Sequence, residues 1–180
     1  MLPVETVSAF DLFLHENELE LHAVVVGGAA LGLLGLIDRQ TRDVDVLVPD
    51  LSEGISEASR SFARQQRKAG FHLDDDWLNN GPSSLKDLLP DGWEERTQVV
   101  FAGEAITLTT LGRSDLLRSK LFALCDRGID LRDCLALAPT EDELADAESW
   151  VVFQDTNPMW PDHVRATLAD LRRRLGHGVS

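Results

Sequence analysis

Basic side chains are scarce in this chain: 17 Lys and Arg stand against 31 Asp and Glu, a formal net charge of −14. Nucleic-acid affinity comes mainly from neutralising phosphates, so a surface of this sign argues against a protein that coats nucleic acid without selectivity. A nucleic-acid substrate would need a local basic patch. The candidates are Arg39 and Arg42, the set Arg60, Arg64, Arg67 and Lys68, and the run Arg172, Arg173 and Arg174. Each also fits an ordinary solvated face. Cysteine is nearly absent. Cys125 and Cys134 are too few and wrongly spaced for a zinc site or a disulfide framework, which leaves reduced thiols in a core. The longest apolar run, residues 23–37, is broken by glycines and too short to span a bilayer. No basic segment followed by a cleavable apolar one opens the chain, so the expected location is the cytoplasm, with no membrane partner. There is no repeat and no low-complexity segment.

What is present is organised around residues 23–49, AVVVGGAALGLLGLIDRQTRDVDVLVP. Val24, Val25 and Val26 end a strand at Gly27 and Gly28, where the backbone can turn tightly and come close to a ligand. Residues 29–36 read as a buried helix whose first N–H groups face that turn and favour an anion. The next strand, residues 43–48, alternates. Asp43 and Asp45 fall on one face, Val44, Val46 and Val48 on the other. A lone Gly-Gly is commonly just a turn, and a lone Asp-Val-Asp just the wet face of a strand. In this order they make what a magnesium–nucleotide site requires, because magnesium is usually held by one or two carboxylates plus substrate phosphates.

The ordered pieces Val26-Gly27-Gly28 and Asp43-Val44-Asp45-Val46 resemble the nucleotidyltransferase superfamily of the DNA polymerase β type. The loop Arg39-Gln40-Thr41-Arg42 resembles the Arg-x-Thr-x-Asp-h-Asp version (h, apolar) of small bacterial proteins related to the AbiEii abortive-infection toxins. A second stretch, residues 119–133, is similar to the same proteins: a Lys-bearing helix, then an Arg, then two aspartates three apart, here Lys120, Arg127, Asp130 and Asp133. The resemblance implies that Gly27, Gly28, Arg39, Thr41 and Lys120 contact a nucleoside triphosphate, and that Asp43 and Asp45 hold Mg2+ or Mn2+. It further implies that Asp43, Asp45 and Lys120 serve catalysis while Arg127, Asp130 and Asp133 support the site. Read from the residues alone, Lys120 could instead snorkel to water, and Asp130 and Asp133 could be acids favoured at a helix start. In the superfamily a later strand often carries a third carboxylate. Here that strand reads Ile106, Thr107, Leu108 and Thr109, and Glu104 sits at the turn before it.

The remaining chain reads as an amphipathic helix over 4–16 and a strand over 21–26. A helix capped by Asp50 or Ser52 runs to about Ala69, with Ile55, Ala58, Phe62 and Ala69 buried. Residues 71–90 read as irregular, and 97–101 with 105–111 as a hairpin. A helix from Ser114 as N-cap, a helix opened by the capping box Thr140–Glu143, and a last helix from Pro161 to Leu175 follow; Val164, Leu168, Leu171 and Leu175 form its core stripe. Trp150 and Trp160 are expected to pin these helices. The expected fold is α/β (α+β): a small mixed twisted sheet flanked by helices, with a helical C-terminal third. By the resemblance, residues 1–112 are expected to form the nucleotidyltransferase core and 113–180 a helical part packed on it as a single compact domain. The expected function is transfer of a nucleotide to an RNA or protein hydroxyl, in a toxin–antitoxin or phage-defence setting with a cognate antitoxin. The alternative is a degenerate nucleotide-binding or protein-interaction module.

Overall fold

The computed structural model describes residues 3–177. Seven helices, α1 (Pro3–Glu16), α2 (Gly27–Leu33), α3 (Glu53–Lys68), α4 (Arg113–Arg127), α5 (Leu131–Leu137), α6 (Glu141–Val152) and α7 (Trp160–Leu175), accompany five strands among the described residues. The strands are β1 (Leu21–Val26), β2 (Val44–Val48), β3 (Leu78–Asn79), β4 (Gln98–Ala102) and β5 (Ile106–Thr110). The chain divides into two compact units. The first runs to Asp87 and takes in Asp91–Leu111; the second comprises Leu88–Pro90 and the chain from Gly112 onward.

The first unit holds a mixed sheet in the order β3-β2-β1-β5-β4. β1 lies antiparallel to β2 and parallel to β5, so the glycine-bearing strand sits at the centre. Alternation along the strands sorts their side chains. Leu21, Ala23, Val25, Val44, Val46, Ile106 and Leu108 join Val7, Phe10 and Leu14 of α1 and Ile55, Ala58 and Phe62 of α3 in one core. Phe10 anchors it, with ring centroids 5.1 Å from Trp77 edge-on and 5.2 Å from Phe62. His22, Val24, Asp45, Thr107 and Thr109 therefore point to the opposite face of the sheet.

A buried carboxylate ties the first helix to the hairpin. Asp11 accepts from the backbone N–H groups of Glu104, Ala105 and Ile106 at 3.0, 2.9 and 2.7 Å. Burial by itself raises its pKa, but the three amide donors outweigh it and hold Asp11 below its usual value. Gly103 leaves room for this contact; an ideal Cβ there would lie 2.3 Å from the carboxylate. No sequence pattern pointed to Asp11.

Several sequence expectations are corrected in detail. Ser52 rather than Asp50 caps α3, accepting from the Ile55 N–H at 3.3 Å. Ala69 is exposed, and Ser59 and Ala63 take its place in the buried stripe, because the helix ends at Lys68 before the stripe returns to the core. The irregular segment contains β3, which pairs parallel with β2 through Val44–Leu78 and Asp45–Asn79. Gly112, not Ser114, is the N-cap of α4. Leu175 is only half-buried at the end of α7, where Gly176 turns left-handed at φ +79°.

Within the second unit the capping box forms as expected: the Glu143 N–H donates to the Thr140 hydroxyl at 3.2 Å, and the Thr140 N–H to Glu143 Oε2 at 2.9 Å. Phe122 meets Trp150 and Trp160 edge-on, and the Trp160 indole N–H donates to the Val151 carbonyl at 2.9 Å. Cys125 and Cys134 are buried and free. Burial pushes their thiols up to about 11 and about 12, so neither is a thiolate at neutral pH. No described helix is long and apolar enough to cross a membrane.

Candidate functional site

The corner where β1 ends and α2 begins is built by two glycines with different neighbours. Gly27 adopts φ +73°, a left-handed backbone that side chains disfavour, and opens α2, whose N-cap Val26 has no polar side chain to cap it. The helix starts two residues earlier than the sequence pattern predicts and is shorter, because Gly35 turns left-handed at φ +70° just beyond it. Asp45 stands opposite Val26 in the β1–β2 register, on the face away from the core. Its Oδ2 lies 2.6 Å from where an ideal Cβ at Gly27 would be, so the carboxylate fills the space that the missing side chain vacates.

Gly28 faces the loop that precedes β2. An ideal Cβ there would lie 2.9 Å from Thr41 Cγ2 and 3.4 Å from an Arg39 guanidinium nitrogen. Gly27, Gly28, Arg39, Thr41 and Asp45, all proposed from sequence, are thus brought together. Asp43 is exposed and directly precedes β2, which begins at Val44, so Asp45 alone lies within the strand.

Two further residues complete the corner. Asn79 pairs with Asp45 across β2 and β3, and its side-chain oxygen accepts from the Gly81 N–H at 2.6 Å. Asp45 Oδ1 lies 3.9 Å from the ideal Cβ position of Gly81. Neighbouring Asn80 clamps the loop by donating to the Val46 and Pro49 carbonyls, both at 3.0 Å, and accepting from the Leu51 N–H at 2.8 Å. The only trace of this in the sequence was the turn composition Asn79-Asn80-Gly81-Pro82; a two-residue strand carries no periodicity.

The second sequence constellation forms its own cluster in the second unit. Lys120 is 4% exposed, with Nζ 2.7 Å from Asp133 and 3.3 Å from Asp130. It does not snorkel. Two carboxylates satisfy the ammonium inside the helical packing, as a buried charge demands. Asp130 takes the N-cap position of α5 with φ +69°, and Arg127 is exposed beside Asp126 at 3.8 Å.

Among the described residues no group of three or more His, Cys, Asp or Glu side chains is placed to hold a metal ion. Two carboxylates such as Asp43 and Asp45 would need substrate phosphates to complete the coordination of a divalent cation. Four of the basic side chains in the candidate patches are paired with acids. Arg172 pairs with Glu141 at 3.0 Å and Glu148 at 3.1 Å, Arg173 and Arg174 with Asp170, and Arg67 with Asp75.

Comparison with protein families matches residues 5–138 to DUF6036, described as a nucleotidyltransferase of unknown function. No curated protein and no solved structure matches the chain. The family match covers more than half of the sequence and runs from α1 through α5, taking in the glycine corner, Asp43, Asp45 and the Lys120 cluster, and so the chain belongs to this nucleotidyltransferase family.

Proposed function

We propose that the corner of Gly27, Gly28, Arg39, Thr41 and Asp45 binds a nucleoside triphosphate together with Mg2+ or Mn2+, and that the bound nucleotide is transferred to a hydroxyl of an RNA or protein acceptor. The observation that supports this best is the Asp45 carboxylate, 2.6 Å from the position a Gly27 side chain would occupy. A carboxylate is thereby held beside the backbone amides that open α2. The Gly27 and Gly28 amides would donate to phosphate oxygens, and Arg39 would offset their charge. Asp43 and Asp45 would hold the cation, which when bound supplies charge neutralisation to the transferring phosphoryl group. In the reaction the acceptor oxygen bonds to the α-phosphorus, pyrophosphate leaves, and the hydroxyl proton is released.

A specific observation favours a second reading, nucleotide binding without transfer. β5 lies beside β1 and presents Thr107 and Thr109 on the Asp45 face, with no carboxylate to take the acceptor's proton. The resemblance to AbiEii-related toxins supports a further proposal, a role in a toxin–antitoxin pair or phage defence. Growth arrest on inducing the wild type but not Asp45→Ala, relieved by a neighbouring gene product, would test it.

The double substitution Asp43→Ala with Asp45→Ala tests the site itself. Two neighbouring carboxylates repel when no cation lies between them, so the variant should melt at or above the wild type without metal. Wild type should gain melting temperature with magnesium and at least one nucleoside triphosphate, and the variant should not. A variant that melts well below wild type would make the aspartates structural. Transfer of label from an α-labelled triphosphate then separates the two readings.

A further inference from the structure

The sheet ends differently at its two edges. β3 supplies only two residues at one edge, and the Asn80 side chain clamps the chain beyond it to β2. β4 forms the other edge with five residues, Gln98–Ala102, and pairs with β5 alone among the described residues. Its outer side therefore carries backbone N–H and C=O groups that no neighbouring strand engages. Folded proteins commonly guard such an edge with Lys, Pro or an inward-pointing charge. β4 has none of these. Gln98, Val99, Val100, Phe101 and Ala102 are uncharged, and Val99 is 63% exposed. Its guard is an irregular register between Val99 and Phe101.

Both ends of this edge are pinned, and both are acidic. Before β4, the Thr97 N–H and hydroxyl donate to the Glu94 carbonyl at 3.3 and 2.9 Å. After it, the Asp11 carboxylate accepts from the Glu104 N–H at 3.0 Å. Glu94, Glu95 and Glu104 are exposed at these fixed ends, while Arg96 turns back to donate to the Asp91 carbonyl at 3.1 Å. An edge already ordered in this way loses little freedom when a segment adds to it. The carboxylates also decide between occupants. A second copy, paired antiparallel about a two-fold axis, would bring Glu94 and Glu95 of each copy towards Glu104 of the other. Like charges across strands are destabilising, and each copy carries a net charge of −14. A segment with cations at both ends meets the same carboxylates favourably, whichever way it runs. We propose that β4 receives, as an added strand, an extended segment of another protein: a short uncharged run rich in β-branched residues, flanked by Lys or Arg. Main-chain hydrogen bonds supply the affinity, and the flanking cations supply the selectivity. No nucleotide is needed for this docking, which stands apart from the reaction proposed above.

A pair of synthetic peptides tests this on the full chain. Each alternates threonine and valine over the length of β4; one is flanked by lysine at both ends and the other by glutamate. The lysine-flanked peptide should bind and slow hydrogen exchange of the β4 amides, and the glutamate-flanked peptide should do neither. Glu95→Lys with Glu104→Lys, both at exposed positions, should weaken the lysine-flanked peptide at least about fivefold, because two surface attractions become repulsions. Val99→Lys, which charges the middle of the edge, should abolish binding of that peptide. Melting curves check that the variants fold, and Gln98→Lys replaces Val99→Lys if the latter does not. A lysine-flanked peptide that fails to bind, equal binding of the two peptides, or protection of amides elsewhere than β4 would overturn the proposal. Sedimentation of the wild type supplies a last check. A dimer that Val99→Lys dissolves would give the edge to a second copy and overturn the proposal as well.

Discussion

Gly27 shows how much one absent side chain can do. Its backbone is left-handed and its missing Cβ is the space into which Asp45 reaches, so Gly27→Ala acts in two separable ways. The left-handed backbone costs about 1 kcal/mol or somewhat more for alanine. The clash is with the end of a short flexible side chain, so it displaces Asp45 rather than the fold. The expected result is a modest loss of stability in urea, with loss of the magnesium-dependent nucleotide upshift. Lys120 is the opposite case, a charge whose removal leaves another behind. Asp133 is 1% exposed, and Lys120→Met would take the ammonium from beside its carboxylate. Breaking a buried pair from one side costs roughly 3–5 kcal/mol. A change in the denaturation midpoint corresponding to less than about 1 kcal/mol would mean that water reaches the pair.

Among the elements, the start of α6 carries the clearest pH signature. The Arg113 guanidinium, 2.6 Å from Glu143 and hydrogen-bonded to it, is the main cause holding that carboxyl at about 2 instead of 4.5, with the Thr140 N–H adding to it. A folded-state value below the unfolded one means that the contribution is fully present above pH 4.5 and disappears as pH falls towards 2. Glu143→Gln should therefore lower stability at pH 7 and flatten the decline between those limits; urea midpoints followed from pH 6 to pH 2 provide the check. An equally steep decline in the variant would place the acid sensitivity elsewhere. β3 illustrates the reverse, an element with almost no local determinants. It exists because Trp77 and Leu78 enter the core and Asn80 clamps β2, not because two residues favour a strand.

For the whole molecule, charge governs what can approach. The net charge is −14, and Arg67, Arg172, Arg173 and Arg174 are each paired with acids. Random-sequence duplex DNA should show no shift in a gel at physiological salt, even at protein concentrations of about 10⁻⁵ M, where basic proteins bind non-specifically. Retention of duplex under those conditions would reveal a basic surface that the pairing does not neutralise.

How much was legible beforehand follows from the range of the interactions concerned. The glycine turn, the alternation around Asp45, the capping box at Thr140 and the mixed α/β character depend on backbone preferences and on periods of two or 3.6 residues. Neighbours in the chain carry that information, and so does the ordered motif that linked Gly27, Gly28, Arg39, Thr41 and Asp45. The resemblance assigned Lys120 to the nucleotide phosphates and Asp130 and Asp133 to the support of that site, without showing that both acids would close on its ammonium. Strand order decided the rest. Asn79 and Gly81 reach Asp45 only because β3 joins the edge of β2, and Asp11 reaches the hairpin amides 93 to 95 residues away only because the sheet brings β5 beside β1. Such contacts have no local period, since each is set by two distant segments meeting around a shared core. That meeting is a property of the tertiary structure alone.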